Sequence, residues 1–322
     1  MCVTAGRAAV PGRGGRHTVV PVTAAQPALE IPPSAPGPAV RRSSSGAIGL
    51  VLAGVLSAHS GSAVAASLFP RAGVWAVVFM RLAIGAILLL AICRPSPRGR
   101  SRSDWALIGM FGLVLAGMNT IFFASIQRIP LGIAVTLEVL GPLTLSVLAA
   151  RRASAWLWAG LALAGVALLG RGGFDRLDPA GVVMALVAGA LWAAYIVLSA
   201  RTGKRFPRRA DGLALAMTVA AVLVLPLGIA GSGPVVAAPE LLLLGVVVAV
   251  LCSVLPYSLE MLALRRIRTE TFAVLMSLGP AIAACAGLVI LGQSMHWTDI
   301  LAIVLVVTAS AGAVRAGSAG RG

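Results

Sequence analysis

Charge is scarce in this chain. Asp, Glu, Lys and Arg make up 11% of its 322 residues, and only 10 of them are acidic. A soluble domain carries about 25% charged and roughly 45–50% apolar residues. With 59% hydrophobic residues the chain holds more apolar surface than one soluble core can hide, and the low hydrophobicity that disorder requires is missing from most of it. Cysteine is equally thin. Cys2, Cys93, Cys252 and Cys285 are too few for a disulfide scaffold and form no Cys-x-x-Cys pair or Cys/His cluster. Cys252 and Cys285 lie inside apolar runs and read as small packing residues. The three histidines, His17, His59 and His296, are far apart. No Gly-x-Ser-x-Gly, His-Glu-x-x-His or phosphate-binding loop is present. These absences point to a chain that is not an enzyme and has no metal site or cofactor. Any coupling to energy must then use an ion gradient rather than ATP.

What the chain has is long apolar runs. A spanning helix needs about 20 apolar residues at a rise of 1.5 Å each. Such runs are expected at 46–66, 73–93, 105–125, 131–150, 155–170, 179–199, 212–230, 240–262, 271–291 and 299–315, with the fifth short. The fold class this predicts is an all-α membrane protein of ten transmembrane helices. Residues 1–45 are rich in Pro, Gly, Ala, Ser and Arg and lack the apolar core and cleavage site of a signal peptide. They read as a disordered cytoplasmic tail, or as sequence upstream of a later start.

The net charge of +16 is the expected mark of cytoplasmic loops rather than of nucleic-acid binding. With the N-terminus inside, 21 of the 26 Lys and Arg residues fall in inner segments. Outer segments hold only Arg71, Arg128, Arg171 and Arg176, and Arg81 lies within a span. This bias supports both the even number of spans and an orientation with both termini in the cytoplasm.

An internal repeat divides the chain. Gln127-Arg128-Ile129 through Val135, Leu137 and Leu140-Gly141-Pro142 recurs 138 residues later as Arg265-Arg266-Ile267 through Ala273, Leu275 and Leu278-Gly279-Pro280. Leu52-Ala53-Gly54 pairs more weakly with Leu186 to Gly189. Five spans per half is an odd number, so the second half enters the membrane from the opposite side. Two inverted five-helix repeats are therefore expected, over 46–170 and 179–316, with a periplasmic linker at 171–178 and a cytoplasmic tail at 317–322. Inverted repeats are a common construction of secondary transporters.

Ionisable groups at membrane depth are costly and mark functional sites. Arg81 lies near the middle of the second span; its guanidinium fork suits a carboxylate, or it pairs with a buried acid. Glu138 stands three residues before Gly141-Pro142, a pair that loosens the helix; it reads as a binder of the substrate ammonium, a proton carrier, or the structural partner of Arg81. Glu260 lies near the inner end of the eighth span, at the mouth of a pathway or in a surface pair with Arg265. Tyr257, beside Pro256, offers a hydroxyl. His59 reads as a neutral buried imidazole bonded to a carbonyl or as a proton carrier, and Asn119 and Tyr195 complete the candidates, each able to bond a polar substrate or to bridge helices.

Particular segments also resemble a known family. Ala65-Ala66-Ser67-Leu68-Phe69-Pro70, Met80-Arg81-Leu82-Ala83-Ile84-Gly85, Pro130 to Val135 with Leu137-Glu138 and Gly141-Pro142-Leu143, and Leu255 to Met261 resemble the bacterial inner-membrane threonine/homoserine exporters. These belong to the drug/metabolite transporter superfamily with paired EamA domains. The resemblance covers about residues 46–315 and implies export of small hydrophilic amino acids by exchange with protons. The partners implied are a small-molecule substrate, the lipid bilayer and protons, with no nucleic acid; a homodimer stays open. The chain departs from the resembled pattern at Gly279 and at Gln293, where that family usually carries Glu, and at His59, where Gln is frequent.

Overall fold

A computed structural model describes residues 44–95, 99–150, 153–171, 177–206, 209–231, 233, 238–264, 266–267 and 269–318. The expected tail over 1–45 lies outside them apart from Ser44 and Ser45, which open the first helix; most of the 171–178 linker and residues 319–322 also fall outside. The described residues form helices and no strand. They are α1 (Ser44–Ala72), α2 (Val74–Cys93), α3 (Arg102–Ile126), α4 (Leu131–Glu138), α5 (Leu140–Ala150), α6 (Ala153–Arg171), α7 (Pro179–Arg205), α8 (Arg209–Ala230), α9 (Pro239–Ala249), α10 (Leu255–Leu264), α11 (Thr269–Met276), α12 (Gly279–Leu291) and α13 (Trp297–Ser318). Among the described residues 9 stretches are long and apolar enough to cross a membrane, and the apolar run Trp156–Leu168 within α6 is shorter. This matches the expected short fifth span.

Three expected spans are interrupted, each next to a proline. Pro142 has no N–H to give to the carbonyl four residues earlier, which belongs to Glu138, and α4 ends at Glu138. Pro280 leaves the carbonyl of Met276 without its donor in the same way, and α11 ends at Met276. Glu138 and Met276 are 138 residues apart, the spacing of the sequence repeat. Pro256 likewise spares the carbonyl of Cys252, and the helix widens into a π-turn over Val250–Val254 between α9 and α10. The Ser57 hydroxyl of α1 donates to the Leu251 carbonyl at 2.8 Å within that turn. Broken helices at membrane depth survive only where protein or a cavity satisfies the freed groups, so these breaks direct attention to what surrounds them.

The helices pack side by side into a bundle. α2 packs on α8, α3 on α7 and α8, and α1 on α10 and α12. α4 packs on α12 and on α7, α5 on α7, and α6 on α13. In lipid the apolar effect does not drive helices together, so small residues that allow close approach do much of the work. The clearest case is the crossing of the α4–α5 break with α7. A Cβ at Gly141 would stand 1.8 Å from the carbonyl oxygen of Gly189, and one at Gly189 would stand 2.5 Å from that of Glu138. A buried apolar core that includes Val77, Leu82, Leu115, Phe123, Leu131, Ala185, Ala220 and Leu241 joins these helices.

Ion pairs tie the ends. Arg128 at the end of α3 bonds Asp178 at the start of α7 at 2.7 Å. At the other end of the same two helices Arg205 pairs with Asp104, which also closes a capping box with Ser101. Arg71 of α1 reaches Glu240 of α9 at 2.9 Å. Asp178 also caps α7, accepting from the Ala180 amide at 2.8 Å. The Arg128 guanidinium, first, and these backbone donors hold its carboxyl below the usual range. A lowered carboxyl contributes stability in full above its ordinary value, near 4, and loses it as pH falls through the lowered one. Asp178→Asn keeps a capping oxygen and removes the charge. It is expected to lower the melting temperature of the detergent-solubilised protein at neutral pH, with the gap from the native chain closing below about pH 4. A gap that stays constant down to pH 3 would mean that the charge contributes nothing.

Candidate functional site

The half-helix ends at Glu138 and Met276 both border one polar cavity of about 150 Å³. Its lining includes His59 and Ser62 of α1, Arg81 of α2, Met118, Asn119 and Phe122 of α3, Glu138 of α4, Trp192 of α7, Glu260 of α10 and Met276 of α11. Five of the seven residues singled out from sequence thus meet, although they come from five different helices. Of the other two, Tyr195 lies elsewhere and Tyr257 is described by its backbone alone. Tyr195 packs its ring on Phe111 of α3, with centroids 5.4 Å apart, in a satellite core with Leu198 and Ala216. Tyr257 lies on α10, and its side chain falls outside the described residues.

The charges in this cavity are separated rather than paired. Among the described residues no carboxylate oxygen comes within 4.0 Å of the Arg81 guanidinium. Arg81 instead holds its Cζ over the Phe123 ring at 5.0 Å, and its Nε is buried with no hydrogen-bond partner. An unpaired buried polar atom carries a full desolvation cost, so it marks a place where a ligand atom improves the structure. Glu138, read from sequence as a candidate structural partner of Arg81, lines the same cavity with neither carboxylate oxygen within 4.0 Å of the guanidinium. Asn119 uses one amide hydrogen on its own helix, donating to the Leu115 carbonyl at 2.8 Å; this leaves the rest of its amide for other partners. Ser62 likewise donates to the Ala58 carbonyl at 3.0 Å.

Trp192 and Met276 are lining residues that the sequence reading did not single out. Met276 had a signal, since it lies one repeat length after Glu138. Trp192 had none, because tryptophan in an apolar run is ordinary packing material.

Comparison with known proteins decides the lineage. Residues 179–315 match the model of the EamA-like transporter family. The threonine/homoserine exporter RhtA of Salmonella typhimurium (strain SL1344) is 39% identical over 265 residues, covering 82% of this chain and 89% of the relative. The exporter of the same name from Escherichia coli (strain K12) is 37% identical over the same shares. The chain belongs to the EamA-like transporter family. Within it, these relatives place the chain with the RhtA subfamily. A solved crystal structure superposes with a TM-score of 0.57 at 22% identity, covering 84% of this chain and 96% of its own, which supports the fold alone.

Two of the three positions at which this EamA-family chain departs from the resembled pattern, Gly279 and His59, are structurally linked. A Cβ at Gly279 would lie 3.1 Å from His59 Nε2, so the imidazole fills space that a side chain at 279 would need. Gln293 folds back over α12, where a Cβ at Gly287 would stand 2.6 Å from its Oε1. That same oxygen accepts from the Leu131 amide at 3.0 Å. Gln293 therefore satisfies one of the free amides at the N-terminus of the half-helix that carries Glu138.

Proposed function

We propose that this chain is a secondary exporter of small hydrophilic amino acids of the threonine and homoserine type, working by exchange with protons across the cytoplasmic membrane. The observation that carries the reading is the Arg81 guanidinium sharing one small cavity with two acids, Glu138 and Glu260, none of the three making an ion pair among the described residues. A zwitterion bridges such an arrangement. Its carboxylate meets the guanidinium fork, its ammonium meets a carboxylate, and both charges stay compensated while out of water. A cavity of about 150 Å³ is below the ~300–1,000 Å³ of drug-sized sites, which favours a single small amino acid. The relatives' names point to the same cargo. Protonation of Glu138 or Glu260 supplies the coupling, provided the proton binds the two conformations with different affinity.

Two five-helix repeats of opposite insertion, 46–170 and 179–316, supply the conformations. Several helix pairings support this reading because they occur in matched sets. α3 on α7 corresponds to α1 on α10, and α4–α5 on α7 corresponds to α1 on α11–α12. The half-helices α4 and α11 each span 8 residues at the repeat spacing. Their packing is unequal. α4 lies on α12, with no counterpart of similar extent between α5 and α11 among the described residues. With both termini in the cytoplasm, that is a carrier sealed outside and parted inside.

The test is efflux of labelled threonine and homoserine from proteoliposomes under an imposed pH step. We expect flux that rises with the proton gradient and is suppressed by excess unlabelled homoserine. Flux indifferent to the gradient would remove proton exchange, and no flux of either amino acid would remove the cargo assignment. Tagging that puts residues 177–178 and 201–206 on one side of the membrane would overturn the topology.

A further inference from the structure

A second cavity adjoins the polar one. It measures about 380 Å³ and lies between α5, α7, α11 and α13, bounded by residues such as Pro142, Leu143, Ile196, Phe272 and Val314. Trp192 and Met276 line both cavities. This volume falls in the ~300–1,000 Å³ range of small-molecule sites. The lining contains no charged residue, so a charged guest would lose its hydration with nothing in return.

One polar atom in it is unaccounted for. A serine inside a helix commonly bonds the carbonyl one turn back. Ser146 does so, donating to Pro142 at 2.9 Å, and Ser277 donates to Val274 at 2.6 Å. Thr308 in α13 itself donates to Val304 at 2.7 Å. Ser310, two residues on and only 6% exposed, has a buried hydroxyl with no partner. It lines a cleft whose other hydroxyls, Ser146 and Ser277, are already bonded to backbone carbonyls.

We propose that this cleft is a binding site for neutral amphiphiles, molecules with an aryl or branched-alkyl body and one hydroxyl or amide group that bonds Ser310. Its position gives the occupant a consequence, which rests on the transport reading above. If the halves exchange arrangements, α5 must close on α11 as α4 now closes on α12. On the α4 side, a Cβ at Gly132 would stand 2.7 Å from Ala284, so the closed contact leaves no room for a guest. An amphiphile in the cleft holds α5 and α11 apart and arrests transport without occupying the amino-acid cavity.

The probe is 3-(4-bromophenyl)propan-1-ol, whose bromine quenches tryptophan fluorescence on contact. The control is 1-bromo-4-propylbenzene, which has the same body and no hydroxyl. With purified protein in detergent we expect saturable quenching by the alcohol that disappears in Trp192→Phe. Ser310→Ala should weaken alcohol binding about fivefold, the worth of one neutral hydrogen bond, and leave the hydrocarbon unaffected. Ala273→Phe, which fills the cleft, should abolish saturable quenching. Equal saturable binding of both probes would mean a site for lipid tails and overturn the proposal, as would unsaturable quenching unchanged across the variants. In proteoliposomes, binding that leaves threonine efflux unaffected, or inhibition that excess threonine relieves, would overturn the arrest. Absence of efflux without any probe would instead reject the transport reading, and the quenching data would still decide the site.

Discussion

Arg81→Ala reduces amino-acid efflux at least about 100-fold at substrate concentrations far below saturation. That is the scale for removing one member of a desolvated, hydrogen-bonded charge pair, about 2–5 kcal/mol. The expectation follows from the geometry. The guanidinium has no carboxylate partner among the described residues, and its Nε is buried without a hydrogen bond. Its hydrogen-bonding fork is therefore not already committed to a carboxylate of the protein. Arg81→Lys keeps the charge on a flexible stem and loses the planar fork; a deficit of about tenfold, one bidentate bond's worth of roughly 1.4 kcal/mol, is expected. Initial efflux rates in proteoliposomes, normalised to reconstituted protein, measure both. Glu138→Gln in the same assay should flatten the response to a pH step. Native rates in both Arg81→Ala and Glu138→Gln would reject the cavity as the transport site.

Gly141→Val prevents the protein from reaching its native bundle. Helix propensity argues the other way, since replacing a helical glycine by alanine gains about 1 kcal/mol. Packing overrides it. A Cβ at 141 would sit 1.8 Å from the carbonyl oxygen of Gly189, a backbone atom with no rotamer to escape into. The two helices must separate, and with them the walls that place Glu138. Overpacking costs about 1–3 kcal/mol in ordinary cores and more where backbone must move. Even Gly141→Ala should lower the melting temperature. Gly160→Ala is the control, because nothing lies within 4 Å of a Cβ there, and it should be neutral or stabilising. Melting curves in detergent and the yield of monodisperse protein would separate the two. A Gly141→Ala chain as stable as the native one would mean that the crossing of α4–α5 with α7 is looser than described.

Both predictions concern residues that differed in how visible they were beforehand. Arg81, Glu138 and Glu260 stand out in the sequence because a charge in lipid is costly wherever its neighbours lie. The number and approximate limits of the apolar spans follow from length and composition. The uneven distribution of basic residues between alternate loops is equally local, being set loop by loop. The prolines carry part of the tertiary story as well. A residue without an N–H must spare the carbonyl four positions back, and this places the breaks at Glu138 and Met276. The weakening before Gly141-Pro142 was legible for that reason. The matching break before Gly279-Pro280 follows from the repeat.

Tyr195 shows where local reasoning stops. It sits between Trp192 and Ile196 in α7, and successive residues of a helix point about 100° apart. Trp192 and Ile196 face the cleft, while Tyr195 turns to Phe111 of α3. No pattern in an all-apolar helix says which face meets which neighbour, since lipid and protein offer similar surroundings to its side chains. The same holds for Gln293 reaching Leu131 across 162 positions of chain, and for His59 filling the space above Gly279. The amino-acid sequence alone determined that this chain spans a membrane, where its helices break and which residues carry charge into the bilayer, because those depend on the solvation and hydrogen bonding of short segments. Only the tertiary structure decided that Arg81, Glu138 and Glu260 share a cavity without pairing and that an apolar cleft adjoins it, because those depend on which helix faces are brought together.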